Sequence, residues 1–147
     1  MDYSNLVPKA FIIIILLISV VAVILYCLTL FKMLKRIPKE YHQFPAWFVW
    51  LFLVPLVGVI FQWIMLPFGI PNTLKKYFAN NQEALTKAKI LFRIGLAQVI
   101  ILTISAGALP PYDRAAGFVS VALWILYWVK CVRFRKQFLD SKNTETR

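Results

Sequence analysis

Charged residues are scarce in this chain. Asp, Glu, Lys and Arg make up 16% of its 147 residues, against about 25% in an ordinary soluble domain, so a soluble protein of this size would have too little polar surface. Acids are scarcer still: the six are Asp2, Glu40, Glu83, Asp113, Asp140 and Glu145, and none falls inside a long apolar run. That leaves no buried carboxylate pair for intramembrane aspartyl chemistry and no embedded acid for a proton-coupled exporter. His42 is the only histidine, which excludes a bis-His haem site or a His-rich metal site within one chain. It reads as an interfacial residue. Cys27 and Cys131 lack CxxC spacing, so neither a disulfide framework nor a thiol-redox motif is indicated. No catalytic, cofactor-binding or metal-binding residue is therefore expected, and the chain reads as a non-enzyme.

What is abundant is apolar: 61% of the residues are hydrophobic and 16% aromatic. No charge occurs from Ala10 to Phe31, from Tyr41 to Leu74, from Ile94 to Tyr112 or from Ala115 to Val129. A hydrocarbon core near 30 Å needs about 20 apolar helical residues, so the chain is expected to be an all-α, polytopic membrane protein forming a single membrane domain. The net charge is +11, but the basic residues are dispersed between apolar segments. Anionic lipid head groups are the expected partner, not nucleic acid.

Four transmembrane helices are predicted, over 10–31, 46–66, 90–109 and 113–134, with a short basic tail over 135–147. The first is too long for the apolar region of a signal peptide and no A-x-A pattern follows it. Trp47, Trp50 and Trp63 suit the two interfacial belts of the second. Between helices two and three, residues 71–88 read as an interfacial helix capped by Asn72 or Thr73, with Leu74, Tyr77 and Phe78 on one side and Lys75 and Lys76 facing head groups; an irregular loop is the alternative. Pro110 and Pro111 end helix three and Asp113 caps helix four, making those helices antiparallel neighbours. Small residues at Ser105–Ala108 and at Ala116 and Ser120 are expected to face each other there.

Counting Lys and Arg by side gives the orientation. With both termini cytoplasmic, Lys9, Lys75, Lys76, Lys87, Lys89, Arg93, Lys130, Arg133, Arg135, Lys136, Lys142 and Arg147 make 12 inside, and Lys32, Lys35, Arg36, Lys39 and Arg114 make 5 outside. A second threading, in which segment two is re-entrant and breaks at Pro55–Gly58, gives 15 against 2. The spanning arrangement, with segment two kinked, is the expectation because a re-entrant hairpin leaves more backbone polar groups to be covered by protein. In it Cys27 and Cys131 lie near opposite membrane faces, too far apart to bond.

Two stretches, Leu53–Leu74 (LVPLVGVIFQWIMLPFGIPNTL) and Trp124–Lys130 (WILYWVK), resemble recurring pieces of small, largely uncharacterised bacterial integral membrane proteins. In those a Pro-containing apolar helix with Gln or Trp precedes a Ser/Thr-Leu segment, and a late helix ends in Tyr-Trp-x-Lys. Pro67 and Pro71 interrupt a region that is often smooth in such proteins. The resemblance implies a four-helix inner-membrane protein and nothing about chemistry.

The residues left to carry function are cations near the interface and a few polar groups in apolar runs. Arg93, Lys130, Lys75, Lys76, Arg133 and Arg135 are the candidate contacts to anionic lipid or to a partner, with Arg93 and Lys130 expected deepest. Gln62 and Gln98 are the candidate intramembrane polar contacts, needing hydrogen-bond partners where they lie. These residues fit an accessory or interaction subunit that contacts a membrane-protein partner and lipid through basic cytoplasmic loops. The alternatives are a homo-oligomeric pore, holin-like protein or small transporter, for which the polar stripe is thin, and an immunity-type protein against a pore-forming toxin, for which no residue argues.

Overall fold

The computed structural model describes residues 6–54, 56–107 and 112–141. They are helical with no strand, and four helices are long and apolar enough to cross a membrane: Lys9–Lys35, Val57–Tyr77, Gln82–Ser105 and Arg114–Asp140. The helices are α1 (Leu6–Lys35), α2 (Val57–Ile64), α3 (Ile70–Tyr77), α4 (Gln82–Gly107) and α5 (Tyr112–Phe134). A π turn, Met65–Gly69, joins α2 to α3 without breaking the axis, and a second, Arg135–Asp140, extends α5.

The second span differs from the one expected over 46–66. Residues Ala46–Leu53 form a 3-10 helix, and the chain turns at Leu56, whose φ of 65° no continuous helix accommodates. Hydropathy is uniform across this stretch and gives no sign of the break. Gly58 permits the close return, because a Cβ there would sit 2.7 Å from the Phe52 carbonyl oxygen. Pro55, expected to mark the break, lies outside the described residues.

The two arms of this turn run antiparallel. Phe48 meets Phe61 with ring centres 5.1 Å apart, the Gln43 amide donates to Thr73 Oγ1 at 3.2 Å, and Tyr41 meets Tyr77 at 5.3 Å. The incoming arm also packs along α1: Cys27 Sγ donates to the Val49 carbonyl at 3.4 Å and Phe31 lies 6.1 Å from Trp50. Its backbone is therefore covered by helices on two sides, and 3-10 bonds such as Phe48 N to Pro45 O, at 3.1 Å, use its own polar groups.

No separate interfacial helix over 71–88 is present. Residues 71–77 complete the second long helix, a turn follows, and α4 begins at Gln82, eight residues before the expected start of helix three. Its cap is Asn81, whose Oδ1 accepts the Ala84 amide at 3.0 Å. The expected cap Thr73 is instead inside a helix and donates to the Gly69 carbonyl at 2.8 Å. The other expected cap, Asn72, also lies within α3.

Helices α4 and α5 are antiparallel, as expected: Gln98 meets Ser120, and Ser105 Oγ lies 3.9 Å from where a Cβ on Gly117 would be. Of the rest of the expected small-residue patch, Ala116 is half-buried and a Cβ on Gly107 would meet nothing within 4 Å, while Ala108 and the side chains of Ala106 and Asp113 lie outside the described residues. By contrast, α1 and α5 are parallel. Tyr26 packs on Trp124, Trp128 Nε1 donates to Thr29 Oγ1 at 3.2 Å, and Arg36 pairs with Asp140. Leu6 and Asp140 consequently lie at opposite ends of the bundle, whereas the expected threading makes helices one and four antiparallel. The cysteines are both free and buried, as expected. They lie toward the same end, however, so the expected separation across the membrane is not what keeps them apart.

At Gly95, α4 comes close against the Val57–Tyr77 helix. A Cβ there would lie 2.6 Å from the Leu66 carbonyl oxygen and 3.1 Å from the Tyr127 ring. Gly95→Ala must push α4 off a backbone atom, and a cost of about 1–3 kcal/mol is expected from such overpacking. A thermal unfolding midpoint in mild detergent will read it; an unchanged midpoint refutes the close approach.

Candidate functional site

At one end of the bundle the spacing of two helices builds a basic groove. On α5 and its extension, Lys130, Arg133, Phe134 and Gln137 recur at three- and four-residue intervals and share a face. On α4, Lys87, Ile90 and Leu91 do the same. The faces meet around a groove of about 250 Å³, with cations at its rim and Ile90, Leu91 and Phe134 along its wall. Lys87 is held there by Glu83 at 2.7 Å and stands 5.0 Å over the Phe138 ring. Glu83 also accepts from Gln137 Nε2 at 2.8 Å. Among the described residues no ion pair involves Lys130 or Arg133, so their charges are the ones available to an anion.

The other predicted cations are elsewhere. Lys75 is half-buried with its Nζ 4.9 Å from the centre of the Phe92 ring. Lys76 and Arg93 are exposed, and neither is among the residues that line the groove. Arg135 is half-buried, its Nε without a partner. Lys87 was missed by the sequence reading because its role depends on Gln137, fifty residues away. His42 is half-buried, with Nε2 2.8 Å from the Leu34 carbonyl, and so ties the incoming arm to α1. No group of three potential metal ligands occurs among the described residues.

The structure brings Gln62 and Gln98 together. Both line a cavity of about 210 Å³ with Tyr26, Ser120 and Trp124. Gln98 is 3% exposed and its Nε2 donates to Ser120 Oγ at 3.3 Å, the interhelical bond its position called for. Thr29 and Thr103 are likewise used, accepting from Trp128 and Trp63.

A further polar contact in the interior was not foreseen. In the π turn the Ile70 amide donates to Met65 O rather than to Leu66 O, as an α-helix would have it. In that register the next donor for Leu66 is residue 71, a proline, which has no N–H. The Tyr127 hydroxyl, fully buried, fills the gap at 2.9 Å. Pro71 was the available signal, but only the fold shows which side chain answers it.

No protein-family model, curated protein or solved structure matches this chain. What the bundle offers is a cationic groove with an apolar wall and an uncharged polar cavity deeper inside.

Tyr127→Phe should leave Leu66 O without a partner in the core and cost about 1–3 kcal/mol. Tyr26→Phe, which removes a hydroxyl that has no partner within the bundle, should be neutral or stabilising. Thermal midpoints of the two variants in the same detergent check this, and equal losses would contradict the assigned roles.

Proposed function

We propose that the chain is a non-enzymatic integral membrane protein of the bacterial inner membrane, an accessory subunit that binds anionic lipid at its basic end and presents that end to a membrane-protein partner. The observation that carries this reading is the gathering of cations. Among the described residues, every Lys and Arg except Lys9 and Arg114 lies toward the end where Arg36 meets Asp140 and Tyr41 meets Tyr77. Positive charge favours the cytoplasmic side, which puts this end inside and the start of α1 outside, in place of two cytoplasmic termini. The 41–77 hairpin then enters and leaves from the cytoplasm, the threading with the 15 to 2 bias.

Lipid fits the groove because a phosphate can sit between Lys130 and Arg133 while its acyl chain follows Ile90. A pore needs a polar stripe along a helix, whereas Gln62, Gln98 and Ser120 are gathered in one pocket, which favours the accessory reading. The uncovered apolar length of α1, where Ile12, Leu16 and Ile18 are all exposed, is available to lipid or to a partner helix.

Reporters sensitive to the side of the membrane, fused after Leu34 and after Arg147, are both expected to behave as cytoplasmic. A periplasmic result at Leu34 returns the four-span threading. For the groove, each cation near an anionic leaflet contributes about 1 kcal/mol, so Lys130→Gln with Arg133→Gln should lower retained phosphatidylglycerol by roughly thirtyfold after purification, more than Lys75→Gln with Lys76→Gln. Equal retention in the two double variants removes the groove from the proposal.

A further inference from the structure

We infer that the cavity between α1, α2, α4 and α5 binds the uncharged hydroxyl head of a membrane amphiphile, whose tail lies in the adjoining groove along α1. The cavity, about 210 Å³, is lined by no charged side chain, which selects against ionic head groups. It is several times the share of one water, about 30 Å³. Its walls are largely aromatic and aliphatic, with a few convergent polar groups, the pattern of a small-molecule site.

Two of those polar groups are incomplete. Tyr26 is 2% exposed and Gln98 3%, yet the Tyr26 hydroxyl and Gln98 Oε1 have no hydrogen-bond partner. Reversing the Gln98 amide does not help, since either end can reach Ser120 and the other is then left without a partner. A ligand hydroxyl can donate to Gln98 Oε1 or accept from Tyr26, the two unanswered groups among the residues that line the cavity. The Gln98–Ser120 bond is long at 3.3 Å, so the amide is weakly held and can turn toward an incoming group.

The tail has a place as well. Val23 and Phe52 line both this cavity and a groove of about 640 Å³ that runs to Ile12 and is almost wholly apolar. A polar cavity opening beside a long apolar groove fits a molecule with one small neutral head and one hydrocarbon chain. Diacylglycerols and long-chain prenols share that chemistry. This inference does not depend on the basic groove.

The test uses the full chain in phosphatidylcholine nanodiscs with three probes carrying a diazirine on the chain: a diacylglycerol, a long-chain prenol and a phosphatidic acid. Saturable labelling of the Ile12–Phe52 groove by a hydroxyl probe is expected, at least tenfold above phosphatidic acid and reduced at least fivefold in Tyr26→Phe with Gln98→Leu. Labelling by one hydroxyl probe identifies the source, and labelling by both supports a hydroxyl site of broad tail specificity. If the double variant does not fold, Val121→Trp at the exposed rim of the cavity should block labelling in its place. Labelling by neither hydroxyl probe, equal labelling by phosphatidic acid, or labelling unchanged in the folded variants overturns the assignment.

Discussion

A single hydroxyl determines how closely this bundle can pack. The π turn at Met65–Gly69 and the missing amide proton of Pro71 leave the Leu66 carbonyl without a donor in its own helix. In hydrocarbon, where no water can take that place, such a group must be met by protein. Tyr127 meets it from α5, and Gly95 lets α4 close over the same atom. Three long helices are thereby fixed at one point, and the position of each along its neighbours follows from it.

The same requirement explains the incoming arm, Ala46–Leu53. A strand of irregular backbone in lipid would be costly, but a 3-10 helix satisfies most of its own groups and rises faster, about 2.0 Å per residue. Eight residues therefore reach deep into the bundle. Cys27 donates to Val49, and Val49 itself is fully buried between α1 and the long helix. The objection that a short chain has too few helices to cover a hairpin is met because α1 lies on one side and Val57–Tyr77 on the other.

Charge is arranged by this threading. With α1 and α5 parallel, the cations following α1 join those ending α5 and those around the 77–82 turn, and Arg36 reaches Asp140. The groove at Lys130 and Arg133 sits within that field, beside the apolar side chains of Ile90, Leu91 and Phe134. Among the described residues the other end offers mainly apolar surface, and the cationic groove and the neutral cavity are kept apart by the packed layer around Tyr127.

Sequence alone determined that the chain is helical, with segments long and apolar enough to cross a membrane, because length and hydropathy are local properties that a window can sum. It also placed helices one and four closely, set α4 against α5 through their short connection, and singled out Gln98 and Lys130 as polar groups that needed an answer. The fold decided what those answers are. Hydropathy is blind to a backbone turn such as Leu56, so the division of segment two, which Pro55–Gly58 and the Lys/Arg count offered only as an alternative, had to come from the fold. The partners of Lys87, Leu66 and Gln98 lie tens of residues away, and hydrogen bonds of that separation exist only once the helices have been brought side by side.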